Sequence, residues 1–250
     1  MTDVMARVRK HYERATAHYG EQAVLGVFLY GSWNYGTNLP DSDVDTKCIL
    51  IPNIYSLAVK PYEVKHLHVD DEVCECMTIM HMVSNWKKQN INFVEILFTD
   101  YCIINPLYQD LWFEWMTAAN REAIARYDVK AAVLSMAHQA LHTLKQDPND
   151  LKKVMNTARI IASLSKLTSG EPISYRETIR ATDRTAKIRT GETPVPAGIK
   201  EGFVALLEDM IERAELGAYK TPDVVKQNLD SFFEDLICEF IKYRIGEING

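Results

Sequence analysis

Val24-Leu25-Gly26-Val27-Phe28-Leu29-Tyr30 runs directly into Gly31-Ser32, and further on Ser42-Asp43-Val44-Asp45 runs into Thr46-Lys47-Cys48-Ile49-Leu50-Ile51. The first run is nearly all apolar, rich in β-formers and too short for a helix, which reads as a strand buried on both faces. The second alternates, then turns apolar before Pro52-Asn53, and reads as a strand over 42–51 led by its polar end. The two-residue period of a strand sends Asp43 and Asp45 to one face, about 7 Å apart. Like charges so placed repel unless a divalent cation joins them, and an all-oxygen donor set suits Mg²⁺ or Mn²⁺ rather than Zn²⁺. An isolated Asp-x-Asp is usually a pair of solvated acids; here Gly31-Ser32 supplies the other half of a site. Gly31 admits close backbone approach to a phosphate, Ser32 adds a hydroxyl and an N–H, and a helix starting there would add its positive end. A phosphate cradle facing a carboxylate pair is the layout of a phosphoryl-transfer site.

Outward from this core the periodicity changes twice. Val4, Val8, Tyr12, Ala15 and Tyr19 predict an amphipathic helix over 3–19, Val73-Cys74-Glu75-Cys76-Met77-Thr78 a third strand, and the spacing over 79–97 a helix. Beyond Asn105-Pro106 the pattern predicts helices over 107–127, 129–145, 151–168, 199–216 and 222–245, with stop signals at 147–150 and 169–172 and a loop over 191–198. The expectation is a strand-bearing first half, 1–115, and a helical second half, 116–250, sharing a cleft.

The chain has 250 residues, 34 acidic against 28 basic, for a formal net charge of −6. That balance argues against broad, salt-driven coating of nucleic acid or an anionic membrane, while leaving room for a local basic site. No run approaches the roughly 20 apolar residues of a membrane span, and the opening residues lack a secretory pattern. Five cysteines, an odd number set mostly in apolar runs, read as reduced thiols, so the expected location is cytoplasmic.

Leu29-Tyr30-Gly31-Ser32, Tyr35-Gly36-Thr37 and Ser42-Asp43-Val44-Asp45 together resemble the hydrophobic-Gly-Ser plus Asp-x-Asp signature of the DNA polymerase β superfamily of nucleotidyltransferases. With Tyr-Gly inside the spacing, the chain is similar to the branch predicted to work beside RNA repair enzymes. Lys87 to Leu97 resembles that branch's Lys-Gly-Asn-Pro…Leu-Glu helix, and Lys187-Ile188-Arg189-Thr190-Gly191-Glu192 its Ile-Arg-x-Gly-Glu; Gln89, Ile91 and Asn156 depart from the branch's pattern.

The resemblance implies an α+β fold, a small mixed or antiparallel sheet with flanking helices followed by an all-helical C-terminal half. It implies Mg²⁺-dependent transfer of a nucleoside monophosphate from a triphosphate to an acceptor hydroxyl, with an RNA end as one candidate acceptor, and with pyrophosphate leaving. Asp43 and Asp45 would be metal ligands and catalytic, joined by a third carboxylate: Glu75 fits best, with Asp71 and Asp70 as alternatives. Gly31, Ser32, Tyr35, Thr37, Ser42, Lys153, Arg159 and Arg189 would bind nucleotide, with Lys152 adding to them. Modification of a protein hydroxyl or a small molecule, or nucleotide binding without turnover by an antitoxin-like partner, are the alternative readings.

Other signals are weaker. His138 and His142 lack the Glu of a His-Glu-x-x-His site, Cys74-x-Cys76 lacks a zinc knuckle's spacing, and His66 and His68 read as one exposed strand face. Arg176, Arg180, Arg184, Lys187 and Arg189 form a basic stretch in an acidic chain, either a solvated face or a contact for triphosphate or RNA backbone. Trp33 and Tyr35 are either base-stacking groups or packing under the loop.

Overall fold

The computed structural model describes residues 2–147, 149–169 and 174–249. Pro148 and the stop signal at Gly170-Glu171-Pro172 lie outside them. The fold is α+β. Helix α1 (Thr2–Tyr19) precedes β1 (Val24–Leu29), the one-turn α2 (Ser32–Tyr35), β2 (Thr46–Leu50), α3 (Ile54–Val59), β3 (Val64–Val69) and β4 (Glu72–Thr78). Then come α4 (Ile79–Lys87), α5 (Ile91–Val94), β5 (Cys102–Ile104), α6 (Gln109–Trp115) and α7 (Ala118–Ala125). The helical half follows: α8 (Val129–Gln146), α9 (Leu151–Thr168), α10 (Tyr175–Ile179), α11 (Asp183–Ala186), α12 (Ile199–Glu215) and α13 (Asp223–Asn249).

The five strands form one mixed sheet in the order β3-β4-β2-β1-β5, with β2 and β4 parallel and the other pairs antiparallel. Every residue of β1 is buried, as an apolar run covered on both faces requires. An irregularity in the β1–β2 register between Val24 and Gly26 accompanies the split of its side chains: Val24, Val27 and Leu29 pack under α1, Leu25 and Phe28 on the other face. Gly26 lets β5 approach, since a Cβ there would lie 2.7 Å from the Ile103 carbonyl oxygen.

One apolar cluster joins Val4, Val8 and Ala15 of α1 to Cys48, Cys74 and Cys76 of the sheet. The larger cluster starts from Leu25, Phe28, Ile49 and Met77, passes through Trp86 of α4, and reaches Phe233 and Phe240 of α13. All five cysteines are free. No helix among the described residues is long and apolar enough to cross a membrane.

Three expected elements differ. Asp43 and Asp45 precede β2, which begins at Thr46, so the acidic pair lies on an extended segment tied to the sheet by the Tyr30 N–H, which donates to the Asp45 carbonyl (3.1 Å). The helix expected over 79–97 breaks after Lys87: Gln89 takes a positive φ of 52°, Asn90 caps α5, and Glu95–Phe98 tightens into a 3₁₀ turn. The helix over 107–127 ends at Trp115 and restarts where the Thr117 side chain accepts the Asn120 N–H. His66 and His68 are exposed on β3 on either side of buried Leu67, and residues 191–198 carry neither helix nor strand.

Candidate active site

The turn after β1 is built on Gly31, whose φ of 85° and ψ of −145° suit a residue without a Cβ. Asn34 and Tyr35 return their N–H groups to the Gly31 carbonyl (3.0 and 3.2 Å), and Thr37 returns its own to Ser32 (2.9 Å). The N–H groups of Ser32 and Trp33, in the first helical turn, have no intrahelical acceptor. A Cβ on Gly31 would lie 4.0 Å from Asp45 Oδ2, so the Asp45 carboxylate faces this turn. Asp45 is half-buried and Asp43 exposed. Burial, then the charge of Asp43, raises the Asp45 carboxyl above its ordinary range, against the pull of Lys47, Lys152 and His11.

The segment carrying this pair is held from behind by residues the sequence reading passed over. Glu72, at the start of β4, accepts the Val44 N–H (2.8 Å), the guanidinium of Arg7 and a contact from His11 Nε2 (3.2 Å). His11 is fully buried, with Nδ1 2.7 Å from Thr46 Oγ1, and Arg7 also donates to the Ser42 carbonyl (3.2 Å). Ser42 braces the loop, its hydroxyl accepting the Leu39 N–H (2.8 Å), and Trp33 Nε1 donates to the Asp43 carbonyl (3.1 Å).

Across from the turn stands α9. A cleft of about 240 Å³ is lined by Gly31, Ser32, Tyr35, Thr37 and Asp45 on one side and by Lys152, Asn156 and Arg159 on the other, with Arg189 at its edge. Helical spacing places Lys152, Asn156 and Arg159 on one face of α9. Lys153 is not among the lining residues, and its carbonyl accepts the Thr157 hydroxyl (2.9 Å). Arg159 is 5% exposed, its guanidinium 3.6 Å from the centroid of the Tyr35 ring, and its Nε and Nη1 have no hydrogen-bond partner. Buried guanidinium N–H groups without acceptors are costly. Tyr35 is buried with its ring covered by Arg159, so of the two aromatics only Trp33 remains partly open. Arg189 Nη1 donates to the Thr37 carbonyl (2.6 Å), tying residues 180–189 to the turn together with the Ala181 N–H, which donates to the Tyr35 carbonyl (3.0 Å).

Glu75 is not among the residues lining the cleft. It pairs in register with Lys47, and its carboxylate meets the ammonium of that buried lysine, which also sits over the rings of Tyr30 (4.1 Å) and Phe93 (4.2 Å). Asp70 is at the β3–β4 turn paired with Lys10 (3.0 Å), and Asp71 beside it is exposed. Among the described residues no group of three His, Cys, Asp or Glu side chains is arranged to hold a metal ion. The structure thus gathers Gly31, Ser32, Tyr35, Thr37, Asp45, Arg159 and Arg189 around one cleft, with Asp43 two residues from Asp45, while Glu75, Asp70 and Asp71 are not among the residues lining it.

Glu95 also went unread as a site residue, although an acid inside Phe93-Val94-Glu95-Ile96-Leu97 is a signal of a buried polar role. It is fully buried, and the Gly31 N–H (3.1 Å) and the Tyr35 hydroxyl (2.8 Å) donate to it.

No protein-family model and no curated protein matches the chain. Among solved structures it aligns with the crystal structure of a nucleotidyltransferase-like protein from Exiguobacterium sibiricum 255-15. The alignment covers 95% of this chain and 91% of that one, at 13% identity and a TM-score of 0.31.

Proposed function

We propose that the chain is a nucleotidyltransferase that moves a nucleoside monophosphate from a nucleoside triphosphate to an acceptor hydroxyl, releasing pyrophosphate. The observation that carries this reading is the opposition, across one cleft, of the Asp45 carboxylate beside the Gly31-Ser32 turn to the buried guanidinium of Arg159, whose Nε and Nη1 have no hydrogen-bond partner. Arg159, Lys152 and Arg189 supply positive charge where a triphosphate would lie, and the Ser32 hydroxyl and free first-turn N–H groups supply neutral donors.

Asp43 and Asp45 are the groups that would hold Mg²⁺ or Mn²⁺: all-oxygen donors, with the Asp45 carboxyl raised by burial and then by the charge of Asp43. When bound, such an ion neutralises phosphate charge and lowers the pKa of an attacking hydroxyl. Glu75, on the same sheet face by register but held by Lys47, is the reserve for a second ion. Asp45 faces the turn where the α-phosphate would rest, so it also orients the acceptor hydroxyl for in-line attack. An RNA end is the favoured acceptor, since Arg180, Arg184 and Lys187 are exposed on the segment hydrogen-bonded to the turn. Five free thiols support a cytoplasmic setting.

The test offers each of the four labelled triphosphates, with Mg²⁺, to the protein alone and with RNA, protein and small-molecule fractions. Pyrophosphate release and label in the RNA fraction are expected, with both lost in Asp43→Ala and Asp45→Ala. Release at the wild-type rate by those variants overturns the assignment; label in the protein or small-molecule fraction reassigns the acceptor.

A further inference from the structure

The carboxyl of Glu95 has no part in the chemistry above, yet the segment that forms the phosphate turn converges on it. Its Oε2 accepts the Gly31 N–H (3.1 Å) and Asn34 Nδ2 (3.4 Å), and its Oε1 accepts the Tyr35 hydroxyl (2.8 Å). Asn34 in turn donates to the Leu29 carbonyl (2.9 Å) and accepts the Thr99 hydroxyl (2.7 Å). Residues 31–35 are therefore cross-tied to residues 95–99, far away in sequence. A carboxyl suits this place because it presents acceptor oxygens on both prongs, and an acid this deep in the core is tolerable only with such donors. Over the Tyr35 ring lies the Arg159 guanidinium, two of whose nitrogens are buried without a hydrogen-bond partner.

We propose that Glu95 is a positioning residue: it fixes the Gly31–Tyr35 turn and, through the Tyr35 ring, the seat of Arg159, so that both walls of the cleft meet a triphosphate together. The inference rests on the triphosphate reading of the cleft. Burial pushes the Glu95 carboxyl up to about 7, while the Tyr35 hydroxyl, the Gly31 N–H and the Arg159 charge pull it down, so carboxyl and turn stabilise one another. Glu95→Gln can keep its carbonyl on Gly31 and Asn34 and offer an amide N–H to the Tyr35 oxygen. Glu95→Ala leaves the turn's donors without a partner.

The experiment is calorimetric titration of the full chain with inorganic tripolyphosphate, alongside thermal melting of each variant. The expected result is affinity at least tenfold weaker in Glu95→Ala, rescue to within threefold of wild type in Glu95→Gln, and a three- to tenfold loss in Tyr35→Phe, which removes one oxygen. A folded Glu95→Ala that binds as tightly as wild type overturns the proposal, as does a loss that Glu95→Gln does not rescue. If Glu95→Ala does not fold, Tyr35→Phe decides, and undiminished binding overturns the proposal. Failure of the wild-type chain to bind tripolyphosphate is a different result, which overturns the phosphate reading of the cleft itself.

Discussion

Replacing Glu95 by Gln changes how the protein's stability depends on pH, and the structure sets the size and sign of the change. In the folded chain the buried carboxyl is raised from an ordinary 4.5 to about 7. Between those values the unfolded chain has lost its proton while the native one keeps it, so the native state binds more protons and its stability falls as pH rises. The contribution is complete below the unfolded value and is lost as pH climbs through about 7. At about 1.4 kcal/mol per pH unit, the whole difference is about 3 kcal/mol, most of which falls between pH 5 and pH 8. Gln does not titrate, while every other group is common to both proteins. Urea denaturation of wild type and Glu95→Gln at pH 5, 6, 7 and 8 isolates the effect: the wild type should lose about 2–3 kcal/mol more than the variant over that range. Parallel curves would refute the reasoning, because they would mean that the carboxyl ionises in the folded chain as easily as in the unfolded one.

Three further outcomes are expected. Lys47→Met should cost about 3–5 kcal/mol by leaving Glu75 without its buried cation, and adding Glu75→Gln should recover most of that, as a double-mutant cycle by urea unfolding will show. Glu72→Gln should cost about 1–3 kcal/mol by weakening the hold on Arg7 and Val44, and should speed amide exchange at Val44 well beyond exchange in β1. Phe233→Ala should cost about 3–5 kcal/mol and lower the stability of sheet and helices together, read as one shared transition by near-ultraviolet and far-ultraviolet dichroism.

Much of the fold was legible because its strongest signals are local. The all-apolar Val24–Leu29 and the long amphipathic stripes behind α8, α9 and α12 carry their own period. What escaped depends on distant partners. β5, three residues long, is a strand because Gly26 admits it, a condition invisible around Cys102. The break at Gln89 belongs to its side chain, whose amide donates to the Trp86 and Ile124 carbonyls and so secures a buried turn in an otherwise helical pattern. Gly31, Ser32, Asp45 and Arg189 fell within quoted motifs and Arg159 was implied by the resemblance, and all five line the cleft, whereas Lys152 rather than its neighbour Lys153 faces it, a matter of helix phase that spacing alone leaves one residue uncertain. Glu72 and Glu95 announce nothing in sequence beyond acids near apolar runs; their partners, Val44 and Gly31, are backbone N–H groups that any residue could supply.

Because Phe233 and Phe240 of α13 complete the cluster begun by Leu25 and Phe28, and Arg244 reaches the Ile51 carbonyl, order of synthesis matters. On the ribosome the strands emerge first, and the part of the cluster that α13 covers stays open until residues 233–244 are made. A product clipped before α13 would leave that part of the cluster uncovered and be a substrate for chaperones and proteases rather than a smaller working protein.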